Sequence, residues 1–231
     1  MVLVLNFFLS DAFAVSFDRM IAEHLKDTGK EIKFVRVSAA ITSEEVLIDA
    51  DQYTHLILSG SEASTLNDYG WEEPMKTVVM NFIEARKPVL GICYGHQFLV
   101  RILAGKNHLR VAPLPEIGWG SIKLQSNPLF EGIEETVCLL SHFDEAVELP
   151  ADFHILGASE KCGVHAIQYK GLPVWGVQFH PEYDTVSGKE IFDDHEVNEP
   201  RFKDLFFSEM CETAQLKQNK KFFTNFIAMH S

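Results

Sequence analysis

A cysteine flanked by glycines, in Gly91-Ile92-Cys93-Tyr94-Gly95-His96-Gln97, stands where the apolar run Pro88 to Ile92 gives way to the helical spacing Phe98, Leu99, Ile102 and Leu103. At a strand-to-helix junction, glycines allow the sharp, strained turn that lifts a nucleophile above the sheet. A thiol at a helix N-terminus also feels the positive end of the dipole, which favours the attacking thiolate. Such a thiolate needs a group that takes and returns protons. The second half of the chain offers one, because the apolar run Val174 to Phe179 ends in His180-Pro181-Glu182. The proline stops the strand, and Glu182 can fold back to accept the imidazole N–H and fix the ring. Taken singly, Cys93 reads better as a buried structural thiol, and His180 better as a satisfied histidine at a strand end. Taken together they describe nucleophilic catalysis by a cysteine.

Other combinations carry less. Cys162-Gly163-Val164-His165 has metal-like spacing, but in a strand the two side chains point to opposite faces, and no second pair lies nearby in the sequence. No metal site is therefore expected. Glu190, Asp193, Asp194, His195 and Glu196 read as a solvated acidic loop. His142 and Asp144 read as a structural turn, and Cys138 and Cys211 as packing thiols. The phosphate-loop pattern G-x-x-x-x-G-K-[ST] and the dinucleotide fingerprint are both missing, so no cofactor is expected.

These residues need elements to hold them. Val2 to Phe8, Ile32 to Val37, His55 to Leu58 and Pro88 to Ile92 are short apolar runs that alternate with helical patterns over residues 12–27 and 73–86. That is the rhythm of a parallel sheet covered by helices. From Gly118 onward short strands follow closely: Gly118 to Leu124, Thr136 to Leu140, His154 to Ser159, Val164 to Tyr169 and Val174 to Phe179. Their spacing predicts an antiparallel ribbon and a return to the main sheet. Thr185 to Glu199 reads as a polar loop, Pro200 onward as helix with Phe202, Leu205, Phe206 and Met210, and Phe222 to Met229 as a last apolar helix.

The chain has 231 residues, 46% of them hydrophobic and 23% charged, with a formal net charge of −13. This is the composition of a globular protein with a sizeable core. Its acidity disfavours nucleic acid and anionic membranes as partners. Four cysteines, at 93, 138, 162 and 211, are too few and too scattered for a disulfide scaffold and fit a reducing, cytoplasmic setting. The start imitates a secretory signal around Ala12-Phe13-Ala14, but no Lys or Arg precedes Arg19, and Asn6 interrupts the apolar run. No stretch approaches the ~20 apolar residues of a membrane span. Residues 1–231 are expected to form a single domain, with 185–231 as a helical C-terminal extension.

The Cys93 segment, followed by Gln178-Phe179-His180-Pro181-Glu182, resembles the class I glutamine amidotransferases. So do Leu58-Ser59-Gly60, Leu129-Phe130-Glu131-Gly132-Ile133, and Ser141-His142-Phe143-Asp144 leading to Leu149-Pro150. Its motifs are most similar to the amidotransferase domain of GMP synthase and to stand-alone γ-glutamyl peptidases. The resemblance implies a flavodoxin-like doubly wound α/β fold with a mostly parallel sheet, an added antiparallel ribbon and C-terminal helices. It implies Cys93 as nucleophile, His180 as acid/base and Glu182 as its orienter. The N–H of Tyr94 and a donor from the Gly60-Ser61 loop would form the oxyanion hole. The family usually has a second glycine and a proline where this chain has Ser61-Glu62, so Ser61 N–H is the expected second donor. Gln97 and the backbone of Phe143 and Asp144 would contact the substrate. The implied activity is hydrolysis of L-glutamine to glutamate and ammonia for an acceptor or a separate synthase. The same triad in a γ-glutamyl peptide hydrolase is the alternative, and a non-catalytic binding module the third reading.

Overall fold

The computed structural model describes residues 1–47, 49–133, 135–189, 191, 206–208 and 217–229. Its first half alternates strand and helix: β1 (Val2–Asn6), α1 (Asp11–Leu25), β2 (Ile32–Arg36), α2 (Ser43–Leu47), β3 (His55–Leu58), α3 (Glu72–Glu84), β4 (Val89–Ile92) and α4 (Tyr94–Leu103). The second half supplies β5 (Leu109–Leu124), β6 (Glu135–Ala146), β7 (Phe153–Ala158), β8 (Ala166–Tyr169), β9 (Val174–Val177), β10 (Phe206–Ser208) and a final helix, here α5 (Lys220–Ala228).

The continuous apolar strands are explained by burial on both faces. Along β1, Val2 and Val4 face a core with Phe17 and Ile21 of α1 and Phe226 of α5. Leu3 and Leu5 face the opposite core, with Val78, Val79 and Phe82 of α3 and Phe98 of α4. β3 and β4 divide in the same way, Ile57 and Leu90 to one side and Leu56, Leu58 and Val89 to the other. Strands β2, β1, β3, β4 and β9 run parallel in that spatial order. This is the doubly wound order whose carboxyl edge forms ligand crevices. Beyond β9, strands β8, β7 and β5 join antiparallel, β6 pairs with β5, and β10 completes a ten-stranded sheet among the described residues.

Three sequence expectations change. β5 starts at Leu109 rather than Gly118: Pro113 and Pro115 argue against a strand, yet a register shift between Val111 and Glu116 absorbs them as an irregularity. Residues 206–208, expected to be helical, pair in parallel with Ile117, Gly118 and Trp119 of β5, so the C-terminal extension is not wholly helical. An open sheet edge satisfied the backbone of a segment whose own pattern suggested a helix. Residues 185–189, read as loop, are helical. Glu190, Asp193, Asp194, His195, Glu196, Phe202, Leu205, Met210 and Cys211 lie outside the described residues. No helix among the described residues is long and apolar enough to cross a membrane.

Candidate active site

Cys93 is the N-cap of α4 and holds φ 49°, ψ −100°, a left-handed conformation uncommon for a residue with a side chain. Its surroundings enforce that conformation. Cys93 N–H donates to Val177 O of β9 (2.8 Å), and Gly95 N–H donates to Ser59 O after β3 (3.0 Å). A Cβ at Gly95 would stand 2.5 Å from Leu58 O, and one at Gly91 would stand 2.5 Å from the Gly95 carbonyl. The two glycines are therefore needed for strand, turn and helix to pack this closely.

His180 follows β9, where its N–H donates to Leu139 O of β6 (2.9 Å). Its Nδ1 lies 2.7 Å from Glu182 Oε1, which leaves Nε2 to face the Cys93 sulfur. Burial alone disfavours the imidazolium, but the Glu182 carboxylate and the Cys93 sulfur outweigh it and push His180 up to about 10. His180 is thereby set up to hold a proton as imidazolium beside the Cys93 sulfur. Gln178 Nε2, 3.5 Å from Cys93 Sγ, adds a donor to the sulfur that sequence reasoning missed. Its one sequence signal was its place two residues before His180.

A cavity of about 310 Å³ opens over this pair and is bordered by Ser61, Gln97, Phe143 and Asp144. Tyr94 borders it too, at the first position of α4, where a helix has no internal acceptor for the backbone N–H. The Gly60-Ser61-Glu62 loop is pinned at three points. Ser61 Oγ donates to Phe7 O (2.7 Å), and the Glu62 carboxylate accepts from Leu9 N–H (2.8 Å) and Ser10 N–H (3.0 Å). A Cβ at Gly60 would lie 3.0 Å from His180 Cε1, so the loop backbone lies against the imidazole.

Gln97 donates both amide hydrogens inside the protein, to Asp144 O (2.9 Å) and Gln178 Oε1 (3.0 Å), while its Oε1 accepts from Thr65 (3.1 Å). It ties α4 to β6 and has a single acceptor lone pair left for a ligand. Asp144 accepts from Ser64 Oγ, and burial pushes its carboxyl up. His142 and Asp144 are in strand β6, not in a turn, because pairing with β5 continues to Ala146.

Glu116, His142, Cys162 and His165 form a second buried group containing a cysteine, histidines and a glutamate. Cys162 lies in the turn before β8 rather than in a strand, so the expected divergence of Cys162 and His165 does not occur. Only His142 of these four borders the cavity. Burial pushes the Cys162 thiol up to about 12, which makes it a poor nucleophile, so the reacting cysteine is sought at position 93.

Residues 9–197 match the family described as glutamine amidotransferase class-I. The chain is 33% identical over 182 residues to "GMP synthase [glutamine-hydrolyzing]" of Caldicellulosiruptor saccharolyticus, covering 78% of this chain and 34% of that protein. With the Pyrobaculum aerophilum protein of the same name it shares 38% over 170 residues, 71% of this chain and 32% of that one. A glutamine-hydrolysing GMP synthase subunit of Pyrococcus abyssi is 36% identical over 117 residues, 49% of this chain and 61% of that protein. The chain thus spans about a third of the length of the first two relatives. The fold is shared with a solved glutamine amidotransferase of Thermotoga maritima, at TM-score 0.75 and 19% identity over 99% of this chain and 98% of that one. An elbow cysteine facing a histidine and glutamate at the carboxyl edge of this sheet, and a match over most of the sequence, lead to one conclusion: the chain belongs to the class-I glutamine amidotransferase family.

Proposed function

We propose that the protein hydrolyses the γ-amide of L-glutamine, with Cys93 as nucleophile, His180 as acid/base and Glu182 as orienter. The observation that carries this reading is the left-handed Cys93 at the start of α4, sharing one cavity with His180, whose Nδ1 is held from behind by Glu182. The Cys93 thiolate attacks the γ-carbonyl carbon, and the carbonyl electrons move to oxygen. Tyr94 N–H and Ser61 N–H, with Gly60 shaping the loop, stabilise that oxyanion; one such donor is worth ~100-fold or more in rate. The tetrahedral intermediate collapses as the imidazolium of His180 gives its proton to the departing nitrogen. Ammonia leaves and a γ-glutamyl thioester remains. Neutral His180 then takes a proton from water, the hydroxide attacks the thioester, and glutamate and the Cys93 thiolate are released. Gln97 and the backbone of Phe143 and Asp144, which border the cavity, would hold the amino-acid end of the substrate. The ammonia passes to an acceptor or a separate synthase, and the names of the relatives support that role.

A second substrate fits the same machinery. Phe8, Phe13, Tyr183 and Ile191 also border the cavity, and free glutamine offers only its two side-chain methylenes to match them. The peptide residue of a γ-glutamyl peptide offers more. Glutamate release from L-glutamine, measured beside γ-glutamyl dipeptides and with Cys93→Ala as control, decides between the two. Cleavage of glutamine alone, abolished in the variant, is the expected result. Faster Cys93-dependent cleavage of the peptides makes it a peptidase, and hydrolysis unchanged in the variant removes the mechanism.

A further inference from the structure

The second Cys-His-Glu group has the donors of a cation site. Glu116 follows the irregularity in β5, His142 lies opposite it in β6, and Cys162 and His165 belong to the turn between β7 and β8. All four are buried, and one donor atom from each lies within 4.8 Å of the other three. His142 Nε2 and His165 Nε2 stand 3.0 and 2.8 Å from the same oxygen, Glu116 Oε2. Groups around them set their orientation. Ser159 Oγ donates to the other carboxylate oxygen, Oε1 (2.7 Å), and His142 Nδ1 faces Asp144 O at 3.0 Å. A backbone carbonyl on Nδ1 holds its proton there and turns the Nε2 lone pair inward, as in metal-bound histidines. Without a cation, that ring faces an acceptor at both nitrogens, and His165 Nδ1 is buried without a partner among the described residues.

We propose that Glu116, His142, Cys162 and His165 form a closed structural site for a borderline-soft divalent metal, Zn²⁺ by donor class. Two imidazoles, a thiolate and one carboxylate oxygen suit zinc, whereas calcium and magnesium take oxygen alone. The charges balance: thiolate and carboxylate cancel the two positive charges of the ion, so the buried group carries no net charge. Binding replaces the Cys162 S–H bond with S–Zn and releases the proton to solvent. Bonds of about 2.0–2.3 Å give tetrahedral edges of roughly 3.3–3.8 Å. The His–Glu contacts therefore open slightly and the widest separation closes by about 1 Å. The turn can supply that movement, since the Cβ position at Gly163 has nothing within 4 Å. The ion would clamp β5, β6 and the β7–β8 turn, and with them the Ser141–Asp144 wall of the cavity.

The test uses the full chain carrying Cys93→Ala, which removes the thiol–imidazole pair of the cavity as a competing zinc ligand set. Calorimetric titration of the metal-free protein with zinc chloride is expected to show one ion per chain, proton release and a rise in melting temperature. Cys162→Ser and His165→Gln should each weaken binding by at least the ~10–100-fold that loss of an outer partner costs. Their near-ultraviolet circular dichroism without metal reports whether they are folded. No saturable binding by the Cys93→Ala chain, or unchanged affinity in either folded variant, overturns the proposal. If a variant does not fold, cobalt replaces zinc in the Cys93→Ala chain: thiolate-to-cobalt absorption supports the site, and its absence overturns it.

Discussion

His180 and His96 are both enclosed, yet their environments push them in opposite directions. Burial pushes His96 down to about 3, with no carboxylate beside it to hold a proton. At His180 burial acts the same way but loses to Glu182 and Cys93, which raise it to about 10. A raised group stabilises the fold fully below its unfolded pKa, about 6.5 for histidine, and loses that contribution as pH rises through the folded value. The stability difference between wild type and His180→Gln, measured by urea unfolding at a series of pH values, should therefore be largest below about pH 6.5 and shrink towards pH 10. A difference that stays flat across that range would remove the Glu182–His180–Cys93 coupling. Cys93, His180 and Glu182 were legible in the sequence because each sits within a few residues of a turn it helps to define. Gln178 was not, because its donation to Cys93 Sγ depends on two strands meeting side by side.

Among the elements, the elbow is where sequence and geometry are most tightly bound. β3, β4 and β9 lie side by side, and α4 starts so close to β3 that Gly95 has no room for a side chain. Because the obstructing atom at Gly95 is the backbone carbonyl of Leu58, no rotamer change can relieve the clash. Gly95→Ala should cost about 3 kcal/mol, at the upper end of overpacking penalties. It should appear as a large drop in melting temperature; an unshifted transition would mean that α4 does not dock as described. The apolar strands of the first half could be read directly, since burial on both faces leaves β1, β3 and β4 as continuous apolar runs. β5 and β10 could not: prolines hide the start of β5, and β10 exists only where an edge is available to pair with it.

At the scale of the whole molecule, the chain closes on itself through α5. Phe222, Phe223 and Phe226 are fully buried and join the core that α1 builds on one face of the sheet. His24 of α1 stacks on Phe223 with ring centroids 4.5 Å apart, and His55 at the start of β3 meets Phe226 edge-on at 5.2 Å. Phe226→Ala should lower unfolding free energy by about 3–5 kcal/mol, the usual cost of removing a buried aromatic ring. A loss below about 1 kcal/mol in denaturant titration would mean that α5 does not belong to that core.

The sequence by itself determined the alternation of strand and helix, the doubly wound class and the Cys93, His180 and Glu182 positions. Local hydrophobic periodicity and the short-range demands of glycine and proline specify the alternation and the three positions, and the family resemblance implied the doubly wound class. The tertiary structure alone decided that Glu62 fixes the loop before the cavity, that Gln97 holds β6, and that Glu116, His142, Cys162 and His165 converge. The physical reason is register. Glu116 and His142 meet because β5 slips by several residues against β6, and Cys162 and His165 join them because a turn, not a strand, carries the cysteine. Spacing along the chain constrains only neighbours a few residues apart, whereas contacts between residues such as 116 and 165 are fixed by how the sheet is assembled.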